Sequence, residues 1–173
     1  MCGIVGYAGD KNKVSEVLIK GLKRLEYRGY DSCGIAMISK DGSVFLDRVK
    51  GRVEALSEKI SKNKYPDISC GIAHTRWATH GIPSEENAHP HTDCDKAIVV
   101  VHNGIIENYL EIKEELKSHN FSSDTDTEVI AHLIEENLKE LSKGLKLNQT
   151  TMLHPLFFKA FLKTLKKLKG SFA

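Results

Sequence analysis

The sequence predicts an α+β domain in which helices cover strands in layers. Apolar residues recur every three or four positions in several segments, which is typical of amphipathic helices, and short runs rich in valine and isoleucine indicate strands. There is no βαβ alternation with a glycine-rich phosphate loop, and no repeat or low-complexity segment. A length of 173 residues suffices for one core, so we expect residues 1–173 to form a single domain.

The first part of the chain alternates strands with helices. We expect a short buried strand at residues 3–8 and a hairpin formed by residues 34–39 and 43–49. Two helices are predicted from apolar positions that share one face, the first from Val14, Val17, Leu18, Leu22 and Leu25, the second from Val53, Leu56 and Ile60.

Two further strands lead into polar segments. Residues 68–75 are expected to form a central strand, and residues 97–102 contain an unbroken apolar run. A run without polar alternation predicts burial on both faces. Polar residues that follow such strands are mounted on a rigid element, which favours a functional site there.

Three helices are predicted in the last third of the chain. Asn108 is expected to cap the first, and Thr125 with Glu128 fits a capping box that begins the second. The third follows a linker at 144–151, and residues 170–173 indicate one more strand, so we expect the domain to continue past this point. The core-facing positions are Tyr109, Ile112 and Leu116 in the first helix, Val129, Ile130, Leu133, Ile134, Leu138 and Leu141 in the second, and Phe157, Phe158, Phe161, Leu162, Leu165 and Leu168 in the third.

Composition excludes several classes of partner. A net charge of +2 predicts no general attraction to nucleic acid or to a membrane surface. No apolar run is long enough to span a membrane and no signal-peptide pattern begins the chain, so we expect a cytoplasmic protein. The four cysteines contain no CxxC pair, and no disulfide is expected in a reducing compartment.

A cysteine directly follows the initiator methionine. Removal of Met1 would leave Cys2 with a free α-amino group, which is partly unprotonated near neutral pH. A thiol with a base on the same residue is the N-terminal form of an activated nucleophile. The alternative is that Cys2 simply begins a buried strand as a small hydrophobe.

Polar residues cluster after the two predicted central strands. Arg76 offers a planar fork suited to a carboxylate and Trp77 an apolar wall beside it, although an arginine taken alone more often pairs within its own loop. Asn103 and Gly104 can aim a side-chain amide and a backbone N–H at one oxyanion, and the alternative is an Asn-Gly turn. Asp126 could bind a substrate ammonium or stabilise a helix start.

Five histidines lie between residues 74 and 102, which raises the question of a metal site. Only His89 and His91 are close together, and neither HExxH nor CxxC spacing occurs. We therefore expect these histidines to be packed and hydrogen-bonded, with no metal and no other cofactor.

Several segments resemble the glutamine amidotransferase domain of the N-terminal-nucleophile class, and more narrowly the glutaminase half of the glutamine–fructose-6-phosphate aminotransferases. They are CGIVGY at 2–7, LEYRGYDS at 25–32, GIAHTRWATHG at 71–81, NAHPH at 87–91, VVVHNGIIEN at 99–108 and TDTEVIAHL at 125–133. The resemblance covers residues 2–142 well and the remainder more loosely, and the linker at 144–155 departs from it.

This resemblance implies a four-layer αββα sandwich, incomplete at its C-terminus, that hydrolyses the side-chain amide of glutamine. It implies that Cys2 is the nucleophile with its own amine as base, and that Asn103 and Gly104 form the oxyanion hole. The glutamine carboxylate and ammonium would be held by Arg76 and Asp126. Further pocket residues implied by the resemblance are Trp77, Thr79, His80 and His89, with Arg28 in a supporting place.

The resemblance also implies partners that this chain does not contain. In the family two sugar-isomerase domains follow the glutaminase domain and receive its ammonia, and the full-length enzyme is expected to be a homodimer. The competing interpretations are a histidine-rich metal-binding protein and a non-catalytic interaction domain, in which Arg76, Asn103 and Asp126 would be scattered.

Overall fold

A four-stranded antiparallel sheet forms the centre of the N-terminal half. The computed structural model describes residues 2–9, 13–143 and 150–173, with side chains of the last segment from residue 154 onward. The strands of the sheet are β1 (Gly3–Ala8), β2 (Ser32–Ser39), β3 (Val44–Lys50) and β4 (Ile68–Arg76), and they lie in the order β1-β4-β2-β3. The central position predicted for the strand at 68–75 is confirmed.

Two helices cover one face of this sheet. They are α1 (Val14–Leu25) and α2 (Val53–Ser61), and their buried residues join those of β2 in one hydrophobic core. Both predicted helices are confirmed, with one exception in the predicted apolar face. Val14, Leu18 and Leu22, spaced by four, are fully buried. Val17 lies about 100° around the helix axis from Leu18 and is 38% exposed.

Short strands and three helices make up the second half. The strands are β5 (His91–Thr92), β6 (Val99–Val100), β7 (Gly104–Ile106) and β8 (Gly170–Phe172), and the helices are α3 (Tyr109–Glu115), α4 (Glu128–Ser142) and α5 (Thr150–Lys167). Strand β5 pairs with β6, and β7 pairs with β8, in both cases antiparallel. A second hydrophobic core lies against α4 and α5. Helices thus pack on sheets around two cores in the described part of the chain, which confirms the predicted α+β class.

The predicted strand at residues 97–102 is largely wrong. Only Val99–Val100 pairs with another strand, and both valines are half-buried. Residues 97–99 instead line an apolar crevice of about 520 Å³ between the layers, opposite Ile72 and beside Phe157. An apolar run indicates that a segment is buried, but it does not show whether another strand lies beside it. Here the neighbouring strand β5 has only two residues, so only two residues of the predicted strand are paired.

The predicted helix caps also differ. Asn108 makes no side-chain cap to α3, because its side chain bonds the other end of the domain: Nδ2 donates to Lys167 O and Oδ1 accepts from Lys169 N. The capping box of Thr125 and Glu128 does not form either. Thr125 Oγ1 lies 3.0 Å from His91 Nε2, and the Glu128 carboxylate accepts the N–H groups of residues 122 and 123.

Helix α5 buries a narrower stripe than predicted. Ala160, Thr164 and Leu168 face α4, while Phe158 and Leu162 are largely exposed. The predicted final strand is confirmed as β8, and residues 144–149 of the predicted linker lie outside the described residues. No helix in the described part of the chain is both long enough and apolar enough to cross a membrane.

Because Asn108 joins the start of α3 to the segment between α5 and β8, its truncation is expected to destabilise the fold. Asn108 is 7% exposed and makes two hydrogen bonds, so Asn108→Ala should lower the free energy of unfolding by about 1–3 kcal/mol. Asn63→Ala, which removes an exposed contact with Tyr65, is the matched control and should change it by less than about 0.5 kcal/mol. Equal effects in urea denaturation would contradict this role of Asn108.

Candidate active site

One cavity of about 400 Å³ lies where the ends of β1, β4 and β7 meet the segment before α4. It is lined by Cys2, Arg28, Arg76, Trp77, Thr79, His80, His89, His102, Asn103, Gly104, Ile105, Thr125, Asp126 and Thr127. All ten site residues named from the sequence are among these. The scattering expected of a non-catalytic interaction domain is therefore not observed.

The pairing of β1 with β4 sets the position of Cys2. Gly3 stands opposite Thr75, and its N–H donates to Thr75 Oγ1 at 3.1 Å. One residue beyond each strand, the Trp77 N–H donates to Cys2 Sγ at 3.2 Å. The sulfur is thus fixed at the wall of the cavity, and Cys2 itself is partly accessible.

Asn103 is held from both sides of its amide. Its Nδ2 donates to the Cys2 carbonyl oxygen at 3.2 Å, and its Oδ1 lies 2.9 Å from Nε2 of the buried His74. The backbone N–H and carbonyl of Asn103 are both bonded to Ala173 at 2.8 Å. The amide orientation is therefore determined by β4, and the backbone position by the segment after β8.

Gly104 requires the absence of a side chain. Its φ is +140°, and a Cβ at this residue would lie 2.1 Å from the Ser171 carbonyl oxygen. The N–H groups of Asn103 and Glu107 face β8, whereas the Ile106 N–H faces the opposite side and donates to Asp126. Because strand residues two apart present their N–H groups to the same side, the Gly104 N–H also faces away from β8.

The Arg76 guanidinium is buried and contacts its own loop. It donates to the carbonyl oxygens of His80, Gly81 at 3.1 Å and Ile82 at 3.5 Å. This is the loop pairing that the sequence left open, yet the same side chain also lines the cavity. Three bonds leave part of a five-donor guanidinium for a ligand, and burial lowers the pKa of Arg76 without discharging it.

Asp126 lies at the cavity wall directly before the N-terminus of α4. Its Oδ2 accepts from the Ile106 N–H at 2.7 Å, which ties it to β7. Both explanations left open by the sequence fit this position, because the carboxylate lies near the helix start and lines the cavity. Since Asp126 is 4% exposed, its negative charge is available mainly to a ligand in that cavity.

Aromatic residues border the open side of the cavity. Trp77 is 49% exposed and its ring meets Tyr30 edge-on at 5.6 Å. His80 makes a similar contact with Tyr109 at 5.6 Å. Arg28 comes from the 3₁₀ turn Glu26–Arg28 that follows α1, which brings the predicted loop to the cavity.

Buried histidines pack against one another and form hydrogen bonds beside the cavity. His74 stacks on His89 at 4.2 Å between ring centroids, and the Thr127 hydroxyl lies 2.8 Å from His102 Nδ1 and 3.3 Å from His89 Nε2. Burial lowers the pKa of His74 from 6.5 to about 4, and it holds that of His89 well below 6.5. At neutral pH these rings are therefore uncharged hydrogen-bonding groups.

Sequence reasoning missed four of the residues that line the cavity: His102, Ile105, Thr125 and Thr127. Thr125 and Thr127 flank Asp126, and His102 precedes Asn103. These three residues could therefore have been predicted only because they are sequence neighbours of predicted site residues. Sequence adjacency could not show that Thr127 bonds two histidines, because those contacts span 25 and 38 residues.

Comparison with known proteins agrees with this geometry. A family model described as a glutamine amidotransferase domain matches residues 47–146, more than half of the chain. The chain belongs to the glutamine amidotransferase domain family. The family named from the leading cysteine and the polar motifs is thus confirmed.

Several similar proteins are glutamine–fructose-6-phosphate aminotransferases (isomerizing). Identity is 53% with the Pyrococcus horikoshii protein and 49% with that of Thermotoga maritima, in each case over 100% of this chain and 27% or 26% of the relative. A relative from Thermus thermophilus is 54% identical over 80% of this chain and 23% of its own length. The chain thus spans about a quarter of the length of these relatives.

Solved structures share the fold at lower identity. A glutamine phosphoribosylpyrophosphate amidotransferase from B. subtilis superposes with a TM-score of 0.70 at 22% identity, covering 100% of this chain and 34% of that one. A structure described as the allosteric regulatory enzyme of purine biosynthesis gives 0.74 at 22% identity, with the same coverage. These similarities show that the chain shares the α+β fold of these two structures.

The uncharged buried histidines predict a loss of stability in mild acid. The unfolded chain takes up protons below about pH 6.5, whereas folded His74 does so only near pH 4, so the free energy of unfolding should fall as pH falls through this window. Each histidine kept neutral contributes a slope of about 1.4 kcal/mol per pH unit. Urea unfolding followed from neutral pH downward measures that slope.

The exposed His154 of α5 provides the control, and His154→Gln should leave the slope unchanged. An unfolding free energy that stays constant across the window would contradict the assignment of neutral histidines.

Proposed function

We propose that this chain hydrolyses the side-chain amide of glutamine, with Cys2 as the nucleophile. The observation that carries the proposal is the convergence of Cys2, the Asn103-Gly104 pair, Arg76 and Asp126 on one cavity of about 400 Å³. A thiol, paired oxyanion donors, a guanidinium and a carboxylate together match what attack on an amino-acid amide requires.

The nucleophile needs a base, and no histidine within hydrogen-bonding distance of Cys2 Sγ is found among the described residues. In the proposal, removal of Met1 frees the α-amino group of Cys2, which accepts the thiol proton. The sulfur attacks the amide carbon, the C–N bond breaks, and ammonia leaves with the proton returned by the amine. Water then hydrolyses the thioester to give glutamate and the free thiol.

The negative oxygen of the tetrahedral intermediate would be bound by Asn103 Nδ2 and the Gly104 N–H. Supporting this, Nδ2 already lies on the Cys2 side of the cavity, 3.2 Å from the Cys2 carbonyl oxygen, and the Gly104 N–H faces away from β8. His74 restrains the amide from the other side, so these donors need little reorganisation during the reaction.

The α-amino and α-carboxylate groups of glutamine would be bound by Asp126 and Arg76. Both side chains are nearly fully buried, which strengthens charge-assisted hydrogen bonds to a bound amino acid. Trp77, Thr79, His80 and His89 would complete the wall, and Arg28 would support the side near Cys2. The half-exposed Trp77 is suited to cover bound glutamine.

We further propose that the ammonia serves the conversion of fructose 6-phosphate to glucosamine 6-phosphate. The relatives named for that aminotransferase reaction are about four times as long as this chain, which supports sugar-isomerase domains as the partner. The proposed full-length enzyme is a cytoplasmic homodimer. The 173-residue chain by itself should release glutamate and ammonia and form no amino sugar.

The first test concerns Cys2 and its amine. Intact-mass spectrometry of untagged protein should find a chain that begins at Cys2, and a preparation that retains Met1 should release no ammonia from glutamine. Cys2→Ala should abolish ammonia release yet still bind glutamine in calorimetry, because Arg76 and Asp126 remain. Cys70→Ser, outside the cavity, is the control, and ammonia release by Cys2→Ala would remove the proposed nucleophile.

The second test separates substrate binding from oxyanion stabilisation. Arg76→Lys keeps the charge but loses the fork, so the KM for glutamine should rise at least about tenfold with little change in kcat. Asn103→Ala should instead lower kcat about 10²- to 10³-fold. Arg24→Lys, on the exposed face of α1, is the control for the arginine change.

Because Arg76 also bonds the loop at residues 80–82, its effect on that loop must be separated from carboxylate binding. Glutamine with its α-carboxylate converted to a neutral amide serves this purpose. If Arg76 binds the carboxylate, Arg76→Lys raises the KM for glutamine far more than that for the amide derivative. An equal rise for both substrates would assign Arg76 to the loop alone.

A further inference from the structure

A second cluster of reactive side chains lies apart from the cavity. It consists of Cys94, His119, His132 and Glu135, and one ligand atom from each lies within 4.8 Å of the others. None of the four lines the cavity described above. Their atoms converge although the residues come from the turn after β5, the segment after α3, and helix α4.

Five of the six separations between ligand atoms in this cluster match a tetrahedral metal site, and the sixth, from Cys94 Sγ to the Glu135 carboxylate, is within 4.8 Å. His119 Nδ1 lies 3.3 Å from His132 Nδ1 and 3.2 Å from Glu135 Oε2, and His132 Nδ1 lies 3.5 Å from that same oxygen. Cys94 Sγ lies 3.6 Å from each histidine Nδ1. Bonds of about 2.0–2.3 Å to a central zinc place tetrahedral ligands about 3.3–3.8 Å apart. From this geometry we propose that Cys94, His119, His132 and Glu135 bind one zinc ion.

The outer nitrogens of both histidines face carboxylates. His119 Nε2 lies 3.4 Å from Glu136 Oε2, whereas His132 Nε2 lies 3.7 Å from Glu128 Oε1, too far for a hydrogen bond. A carboxylate bonded to the outer nitrogen of a histidine ligand fixes the ring orientation and the tautomer, and Glu136 can do this for His119. Here both rings are oriented with Nδ1 toward the same point.

A hydrogen-bonded cluster without metal is less well matched to these contacts. If both Nε2 atoms carry the proton, both Nδ1 atoms are acceptors that face each other at 3.3 Å beside a carboxylate oxygen. The two histidines and Glu135 are at most 8% exposed, so these three side chains are largely shielded from water, and only Cys94 opens the cluster to solvent. A cation at the centre satisfies all four groups at once.

The donor set selects the metal. A thiolate, two imidazoles and one carboxylate suit zinc, whereas magnesium and calcium favour sites made of oxygen alone. Cys94 is exposed while the other three residues are buried, which gives the ion an entry path and leaves the thiol accessible to it.

Zinc here would stabilise the segment that carries part of the cavity. His132 and Glu135 lie on one face of α4, spaced by three, and α4 begins two residues after Asp126. Glu128, which faces His132, also accepts the N–H groups of Ser122 and Ser123. The ion would therefore join the turn after β5 and the segment before α4, and act as a structural site.

This proposal replaces the expectation of no metal, which considered the five histidines between residues 74 and 102. The proposed ligands lie outside that group and are 25, 13 and 3 residues apart in sequence, so no short motif marks them.

The test uses the 173-residue chain, stripped with a chelator and titrated with Co²⁺ and with Zn²⁺ alone. Co²⁺ should give the intense visible bands of a tetrahedral site and a thiolate-to-cobalt charge-transfer band, saturating at one ion per chain. Zn²⁺ should displace it and raise the melting temperature. Outer-shell changes typically weaken metal binding about 10- to 100-fold, and loss of a ligand should weaken it at least as much. Cys94→Ser should therefore lose the charge-transfer band and bind Co²⁺ at least about tenfold more weakly.

Controls separate this site from the other thiols. Cys70→Ser and Cys2→Ala should keep the charge-transfer band and the stoichiometry, whereas Glu135→Gln should weaken binding as Cys94→Ser does. A chain that binds neither ion would overturn the proposal. So would a charge-transfer band that survives Cys94→Ser or disappears in Cys2→Ala, because the ion would then lie elsewhere.

Discussion

The antiparallel register between β1 and β4 is the constraint on which the candidate site depends. With Gly3 opposite Thr75, Cys2 comes to lie beside the Trp77 N–H, and Arg76 enters the same cavity. A slip of one residue would turn every side chain of β1 to the other face of the sheet. The Gly3–Thr75 hydrogen bond and the packing of Val5 and Tyr7 against the first core hold this register.

The proposed oxyanion donors, Asn103 and Gly104, depend on a different and longer-range contact. Asn103 forms both backbone hydrogen bonds with Ala173, and Gly104 packs so closely on Ser171 that no side chain fits. Asn108 bonds the same C-terminal segment from the other end of β7. The site therefore depends on contacts that join residues 2–3, 103–108 and 167–173.

Buried polar groups link the cavity to the rest of the second half. His74, His89, His91 and His102 are held close together by ring contacts and by hydrogen bonds to Asn103, Thr125 and Thr127. A buried network of this kind favours one side-chain arrangement when its polar groups are hydrogen-bonded. Protonation of a histidine would break some of these hydrogen bonds and lower the stability of the fold. The proposed zinc site extends the same polar layer along α4, so positioning of Asp126 and stability of the helix start are connected.

Residue chemistry and local period determined much of this protein from sequence alone. The sequence singled out Cys2, Arg76 and the Asn103-Gly104 pair from residue types next to predicted strands and from the family resemblance, and it predicted α1, α2 and α4 from their apolar stripes, because both kinds of signal are local. Tertiary structure decided what depends on partners: the short pairing of β6, the use of Thr125 for His91 rather than a cap, and the loop contacts of Arg76. It alone brought Cys94 to His119 and His132, since a ligand set spread over 42 positions has no period and acquires meaning only when the chain folds.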